Sequence, residues 1–411
     1  MNDLNATPTN KTRVAFFAAL VLFALANAVV YCFHHYYQPP IQTAVLNSNI
    51  NAASHTREWT WWLARKWLEQ RKAPDVVLFG SSQMGSATAA CDAQHQFKVV
   101  DALLDRHAVT LEDNLQERLG HKVTVFNLAQ PGAMCSDTYM ASKALFTPET
   151  QPRVVIIGIA PRDFIDATMP YAAATEPYKF YSRYISAGKL TLTAYNDVTS
   201  WLQMGIDFLP CKRLGTYLQG LAAEGNVEHF DVPADPAHNT ALSAVLGAGA
   251  AEPGKWLVPA NIPQSLWMDN TKEYKHRFQR PNAPVYEAER TFFDAFLNNM
   301  QARGITVVVV GMPSLPMNRK LLKPKFWSEF RSCVAHTCAL HRAQFLDLTD
   351  SPVFIKDDYL DTIHLNARGG AKLFNILANY CAADEAVVAQ LNAPARTRIQ
   401  IATPAKASTI K

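Results

Sequence analysis

Five short runs of the chain are almost continuously apolar and rich in β-branched or aromatic residues: DVVLFG (75–80), VTVFNLA (123–129), VVIIGIA (154–160), TVVVVGM (306–312) and the weaker QFLDL (344–348). Helical patterns lie between them, at about 101–119, from the end of the second run to about Phe146, in YEAERTFFDAFLNNMQARG, from about Lys325 to Arg342 and from about Ala367 to Cys381. Strands apolar on both faces and separated by helices predict a parallel sheet covered on both sides. The expected fold is therefore α/β: a flavodoxin-like three-layer α/β/α domain over residues 73–383, with a mostly parallel five-stranded sheet. In such sheets chemistry gathers beyond the carboxyl ends of the strands.

The third and fourth runs are too far apart for an ordinary connection, so residues of about 166–300 read as a large insertion. Its first part carries Tyr171, Tyr178, Phe180, Tyr181, Tyr184, Tyr195 and Trp201, rings that pack a core or stack on sugars. Residues 384–411 turn polar and poor in aromatics, the composition of a disordered tail.

The N-terminus follows another pattern. Residues 14–33, VAFFAALVLFALANAVVYCF, carry no charge, and about 20 apolar residues suffice to span a bilayer as a helix. Lys11 and Arg13 precede the run, and the next Lys or Arg is Arg57. The positive-inside rule then puts residues 1–13 in the cytoplasm and the rest outside, as a single-pass inner-membrane protein with a periplasmic domain. Ala24-Leu25-Ala26 and Ala26-Asn27-Ala28 fit signal-peptide cleavage, but the apolar run continues past both, which favours an uncleaved anchor. Residues 34–72 read as a linker and an amphipathic helix whose Trp59, Trp62, Leu63 and Trp67 share a face, packed on the domain or lying at the membrane surface.

Composition narrows the classes. With 49% hydrophobic and 18% charged residues the chain is a folding one, and a net charge of +4 offers no basic stripe for nucleic acid. Seven scattered cysteines give no disulfide framework, and no spacing suggests a metal or other cofactor.

The chemistry collects at two places. The first strand runs into Gly80-Ser81-Ser82-Gln83, where a glycine turn can present the Ser82 hydroxyl at the sheet edge. Far along the chain stands Asp361-Thr362-Ile363-His364. This spacing lets the carboxylate hold imidazole Nδ1 and leaves Nε2 to take a serine proton. Ser82 as nucleophile, His364 as base and Asp361 as orienting acid make a triad. A thiol enzyme using Cys135, near Gly132, would lack a placed base.

Order, spacing and strand context resemble the SGNH hydrolase superfamily, in which a Gly-Asp-Ser block carries the nucleophile and an Asp-x-x-His block the acid and base. The resemblance runs through motifs in about 73–165 and 300–382. It implies an oxyanion hole made by the Ser82 N–H and the N–H of Gly132, which stands in NLAQPGA. Two departures are visible. Ser81 replaces the block's aspartate, and GIAPRDF lacks the asparagine of the third block, leaving Arg162 or Asp163 in its place. Arg162 would then serve the oxyanion electrostatically or be a salt-bridged surface residue. With its anchor and insertion the chain is similar to export-side SGNH proteins that accompany membrane-bound O-acyltransferases, such as alginate O-acetylation proteins and the D-alanyl transfer protein of teichoic acid synthesis. That likeness implies a serine O-acyltransferase with an acyl donor and a polysaccharide or envelope-glycan acceptor. Its partners would be a membrane-bound O-acyltransferase and glycan synthesis machinery. An SGNH esterase and a non-catalytic scaffold with the same fold are the alternatives.

Overall fold

A computed structural model describes residues 10–37, 40–47, 59–195, 201–202, 254, 256–279 and 283–393. The sequence expectations for residues 1–9, most of the insertion's small-residue middle, and 394–411 lie outside the described residues.

The predicted strands form β1 (Val76–Phe79), β3 (Val125–Asn127), β4 (Val154–Ile159), β6 (Thr306–Gly311) and β7 (Gln344–Asp347). They lie in the order β3-β1-β4-β6-β7, every pairing parallel. Counted within this sheet the order is 2-1-3-4-5, that of doubly wound flavodoxin-type sheets, and its topological switch point lies between β1 and β4. Two short strands, β2 (Val100–Asp101) and β5 (Leu257–Val258), pair antiparallel and tie the insertion to the domain.

Strand side chains alternate between two cores, as a period of two requires. Val77, Phe79, Phe126, Val155, Ile157, Val307 and Val309 enter one; Val76, Leu78, Val125, Val154, Ile156, Val308 and Val310 enter the other. The first core is closed by helices α2 (Trp59–Leu68), α5 (Cys135–Leu145), α6 (Ala283–Ala302) and α7 (Pro324–Leu340). The second is closed by α3 (Ser82–His95), α4 (Val109–Leu119), α8 (Ala367–Ala383) and α9 (Glu385–Asn392). This is the expected three-layer α/β/α arrangement.

Several expectations change. The helix expected from 101 begins at Val109, because Val100 and Asp101 are taken by the pairing with β5. The expected tail starts later: α9 follows 384 directly, capped by Asp384 and pinned by buried Val387 and Leu391. Within the expected linker, residues 41–46 form a helical turn that buries Ile41 and Val45 against the domain, and Trp61, Trp62 and Trp67 of α2 are core residues. The insertion's rings also go mostly inward. Tyr178, Phe180, Tyr181 and Tyr195 are buried, which removes them as sugar platforms.

The N-terminal run folds as one helix, α1 (Asn10–Tyr37). Its described side chains, Val14 to Val29, are exposed except Asn27, whose amide bonds back to Phe23 O at 2.8 Å. Among the described residues no helix is long and apolar enough to cross a membrane.

Candidate active site

Ser82 owes its position to Gly80. At φ +146° this backbone suits glycine alone, and a Cβ would lie 3.0 Å from Gly158 O on β4. The chain turns there, passes extended Ser81 and enters α3 at Ser82. Ser81 makes no side-chain capping bond, so the first amides of α3 are left to the site, with the helix dipole behind them.

Asp361 and His364 reach the same edge on the loop that joins β7 to α8. Ser82 Oγ lies 2.8 Å from His364 Nε2, and His364 Nδ1 lies 2.6 Å from Asp361 Oδ2. Asp361 Oδ1 accepts the amides of Ile363 and His364 at 2.8 Å each, which closes the turn on itself. Asp361 is fully buried and His364 is 5% exposed, while Ser82 is partly exposed. With Nδ1–H committed to Asp361, Nε2 is the acceptor for the serine proton. The three residues picked from sequence thus form one hydrogen-bonded line.

Gly132 sits in the loop after β3, at φ +76°. The loop is tied to the Gly80–Ser82 turn by Gln130 N–H donating to Gly80 O at 3.1 Å. It is held from behind by Arg106, a fully buried guanidinium that donates to Asn127 O, Ala102 O and Ala129 O at 2.6–2.8 Å. Burial lowers the Arg106 pKa to about 9. A rigid loop is what an oxyanion donor needs, since donors are effective when fixed before charge develops.

Arg162 stands beside Gly132: a Cβ on that glycine would meet Arg162 Nη2 at 3.7 Å. The surface alternative for Arg162 falls, because the residue is 8% exposed. Its Nε pairs with Asp166 at 3.0 Å and its Nη1 donates to Ala133 O at 3.1 Å. Asp166 is fully buried and also accepts from Arg277 Nη1 at 2.5 Å. Burial raises the Asp166 carboxyl, but the charge of Arg162, the Thr168 bonds and Arg277 outweigh it and leave its pKa lowered. Asp163 is different. It is buried with Oδ2 accepting the Ala160 N–H and Oδ1 3.7 Å from Arg162 Nη1, and burial, outweighing the Arg162 charge, lifts its pKa to about 6.

Cys135 is unsuited to nucleophilic work. It is buried, and burial followed by the charges of Glu289, Asp163 and Asp137 pushes its thiol well above the ordinary value, away from the thiolate. Cys91, Cys135, Cys333, Cys338 and Cys381 are free, and among the described residues no cluster of His, Cys, Asp and Glu could hold a metal.

Sequence reasoning missed the residues that brace this line. Gln83 Nε2 donates to Ile363 O at 3.3 Å, joining the Ser82 helix to the Asp361–His364 loop. Leu315 N–H donates to Thr362 O at 2.9 Å and Asn318 Nδ2 to Thr362 Oγ1 at 3.1 Å. Only Asp166 carried a signal, its i,i+4 spacing from Arg162. A small cavity lies beside the Ser82 turn, lined by Ser81, Gln83, Asp163, Tyr274, Phe278 and Met312 among others. Neither protein-family models nor curated protein sequences match the chain.

Proposed function

We propose that the protein is a serine-dependent O-acyltransferase of the SGNH type that works through an acyl-Ser82 intermediate. The observation that carries this reading is the continuous Ser82–His364–Asp361 line at the carboxyl edge of a parallel sheet. His364 Nε2 takes the Ser82 proton as Oγ attacks the ester carbonyl, and Asp361 steadies the imidazolium that forms. The oxyanion is met by the Ser82 and Gly132 N–H groups, with the Arg162 charge beside Gly132 taking the place of the missing asparagine. Collapse expels the leaving alkoxide, which receives the proton from His364. An acceptor hydroxyl then gives its proton to His364 and attacks the acyl carbon, and collapse breaks the bond to Ser82 Oγ, which takes that proton back from His364.

In this reading the acceptor is an exported polysaccharide or cell-envelope glycan, and a membrane-bound O-acyltransferase delivers the acyl group. α1 would be the anchor in the inner membrane, with the domain on the periplasmic side. Supporting this are the uncharged sequence of 14–33 and the exposure of Val14, Phe16, Phe17, Leu20 and Leu22 at 53–67%, an apolar surface that the folded domain leaves uncovered. The test is incubation of full-length protein with an activated acetyl ester, with and without a glycan acceptor. Acyl adduct on Ser82 and its discharge to the glycan support transfer; discharge only to water makes the protein an esterase; no adduct refutes the proposal.

A further inference from the structure

The insertion contributes one segment that touches both halves of this site. Leu360 O accepts from Met268 N–H at 3.0 Å, and Asp361 O accepts from Trp267 Nε1 at 3.2 Å. Asn270 Oδ1 accepts from Thr362 N–H at 3.2 Å and from the Thr362 hydroxyl. Asn270 occupies the N-cap position of the helix Thr271–Phe278, where an asparagine ordinarily bonds its own helix. Here it makes no capping bond; Asp269 Oδ1 takes the Thr271 N–H at 2.9 Å instead, and the Asn270 side chain is spent on the acid–base loop. At the far end of the same helix, Arg277 pairs with Asp166, and its carbonyl accepts Ala167 N–H at 2.8 Å. Asp166 in turn holds Arg162.

We propose that residues 267–278 are a positioning strap: Trp267 and Asn270 fix the Asp361–His364 loop, and Arg277, acting through Asp166, fixes Arg162 beside Gly132. None of the three touches the reacting atoms. Three contacts from a segment about 90 residues away in sequence hold a loop whose geometry must be right to well under 1 Å, since a misplacement of about 1 Å costs roughly 100-fold in rate. The insertion is thereby part of the site, and Tyr274 and Phe278 on the same helix wall the cavity behind Ser82.

This inference rests on the acyl-transfer reading for its catalytic consequence only, and its test separates the two. Full-length protein in detergent, as wild type, N270A, N270D, W267F and R277M, is reacted with a fluorophosphonate, and the downfield proton of the His364–Asp361 bond is followed by NMR. N270A is expected to lower the maximal labelling rate about tenfold with the inhibitor's half-saturation unchanged, and to broaden the downfield proton. N270D keeps an acceptor oxygen facing Thr362 and is expected to recover most of both. W267F, which retains the ring packing, and R277M are each expected to slow labelling several-fold. Wild-type rates and an unaltered downfield proton in N270A overturn the strap, as does failure of N270D to recover a folded N270A's loss. If wild type is not labelled at Ser82, the acyl-transfer reading falls, and the downfield proton alone decides the strap.

Discussion

Gly370 is the point where the helix following His364 meets the helix that begins at Ser82. A Cβ there would lie 2.4 Å from Ala87 O and 2.9 Å from the Cys91 Cβ, both on α3. Ordinary contact needs about 3.4 Å, so Gly370→Ala must part α8 and α3 by about 1 Å. The obstacle is helix backbone, which cannot swing aside as a side chain can. Overpacking of this kind costs about 1–3 kcal/mol, which lowers Tm by roughly 1–5 °C for a domain of this size. The same movement acts on the 2.8 Å Ser82–His364 bond, because each residue lies at or near the start of one of these helices. Stretched by about 1 Å it is no longer a hydrogen bond. Thermal unfolding and the rate of fluorophosphonate labelling measure both effects. Gly85→Ala is the control on stability: nothing lies within 4 Å of its Cβ position, and alanine in a helix is expected to hold or raise Tm. A Gly370→Ala protein that melts and labels like wild type would refute the reasoning.

Two further outcomes concern the buried acids behind the site. Burial lifts Asp137 and Asp163 to about 6 each, above the ordinary carboxylate value. A folded-state pKa above the unfolded one favours the protonated form, so these two groups favour folding most at low pH and progressively less as pH rises from about 4 to about 6. Each contributes on the order of 3 kcal/mol to that fall, and denaturant unfolding of Asp137→Asn or Asp163→Asn should show a flatter profile across the window; a profile identical to wild type would count against the burial argument. Glu289, fully buried and lifted well above its ordinary range by burial and by Asp137, accepts the Ser136 N–H at 2.7 Å and the Ser136 hydroxyl at 2.9 Å at the start of α5. Glu289→Ala is expected to cost about 2–4 kcal/mol in urea unfolding, and Glu289→Gln, which can still bond Ser136, under about 1 kcal/mol; equal losses would mean the volume matters and the bonds do not.

The sheet was the most legible feature. VVIIGI and TVVVVG became β4 and β6 because strands flanked on both sides and covered on both faces must be apolar throughout, and QFLD read weakly because β7 lies at the edge and is only half-buried. Two-residue β2 and β5 carry too few positions for any period to show, so a helix was expected through 101. α9 was missed because it is only eight residues long and without an aromatic, and only contact with the second core reveals that Val387 and Leu391 are buried. In the site, Asp361 and His364 were readable together because they stand only three positions apart, and Ser82 because a glycine turn ends a strand. Gly132 and Arg162 were each placed by block, but their adjacency depends on β3 and β4 flanking β1. Trp267, Asn270 and Arg277 were beyond reach. Their partners lie about 90 to 110 positions away, and nothing local marks an asparagine that forgoes its own helix cap.

The central claim is that Ser82 is a nucleophile activated by His364. Full-length wild type, Ser82→Ala and His364→Ala are reacted with a fluorophosphonate or an activated acetyl ester and analysed by intact mass and peptide mapping. One adduct per chain on the Ser82 peptide is expected in wild type, none in Ser82→Ala, and formation slowed by at least about 1,000-fold in folded His364→Ala. An adduct that persists in Ser82→Ala, or that forms as fast without the histidine, would contradict the account.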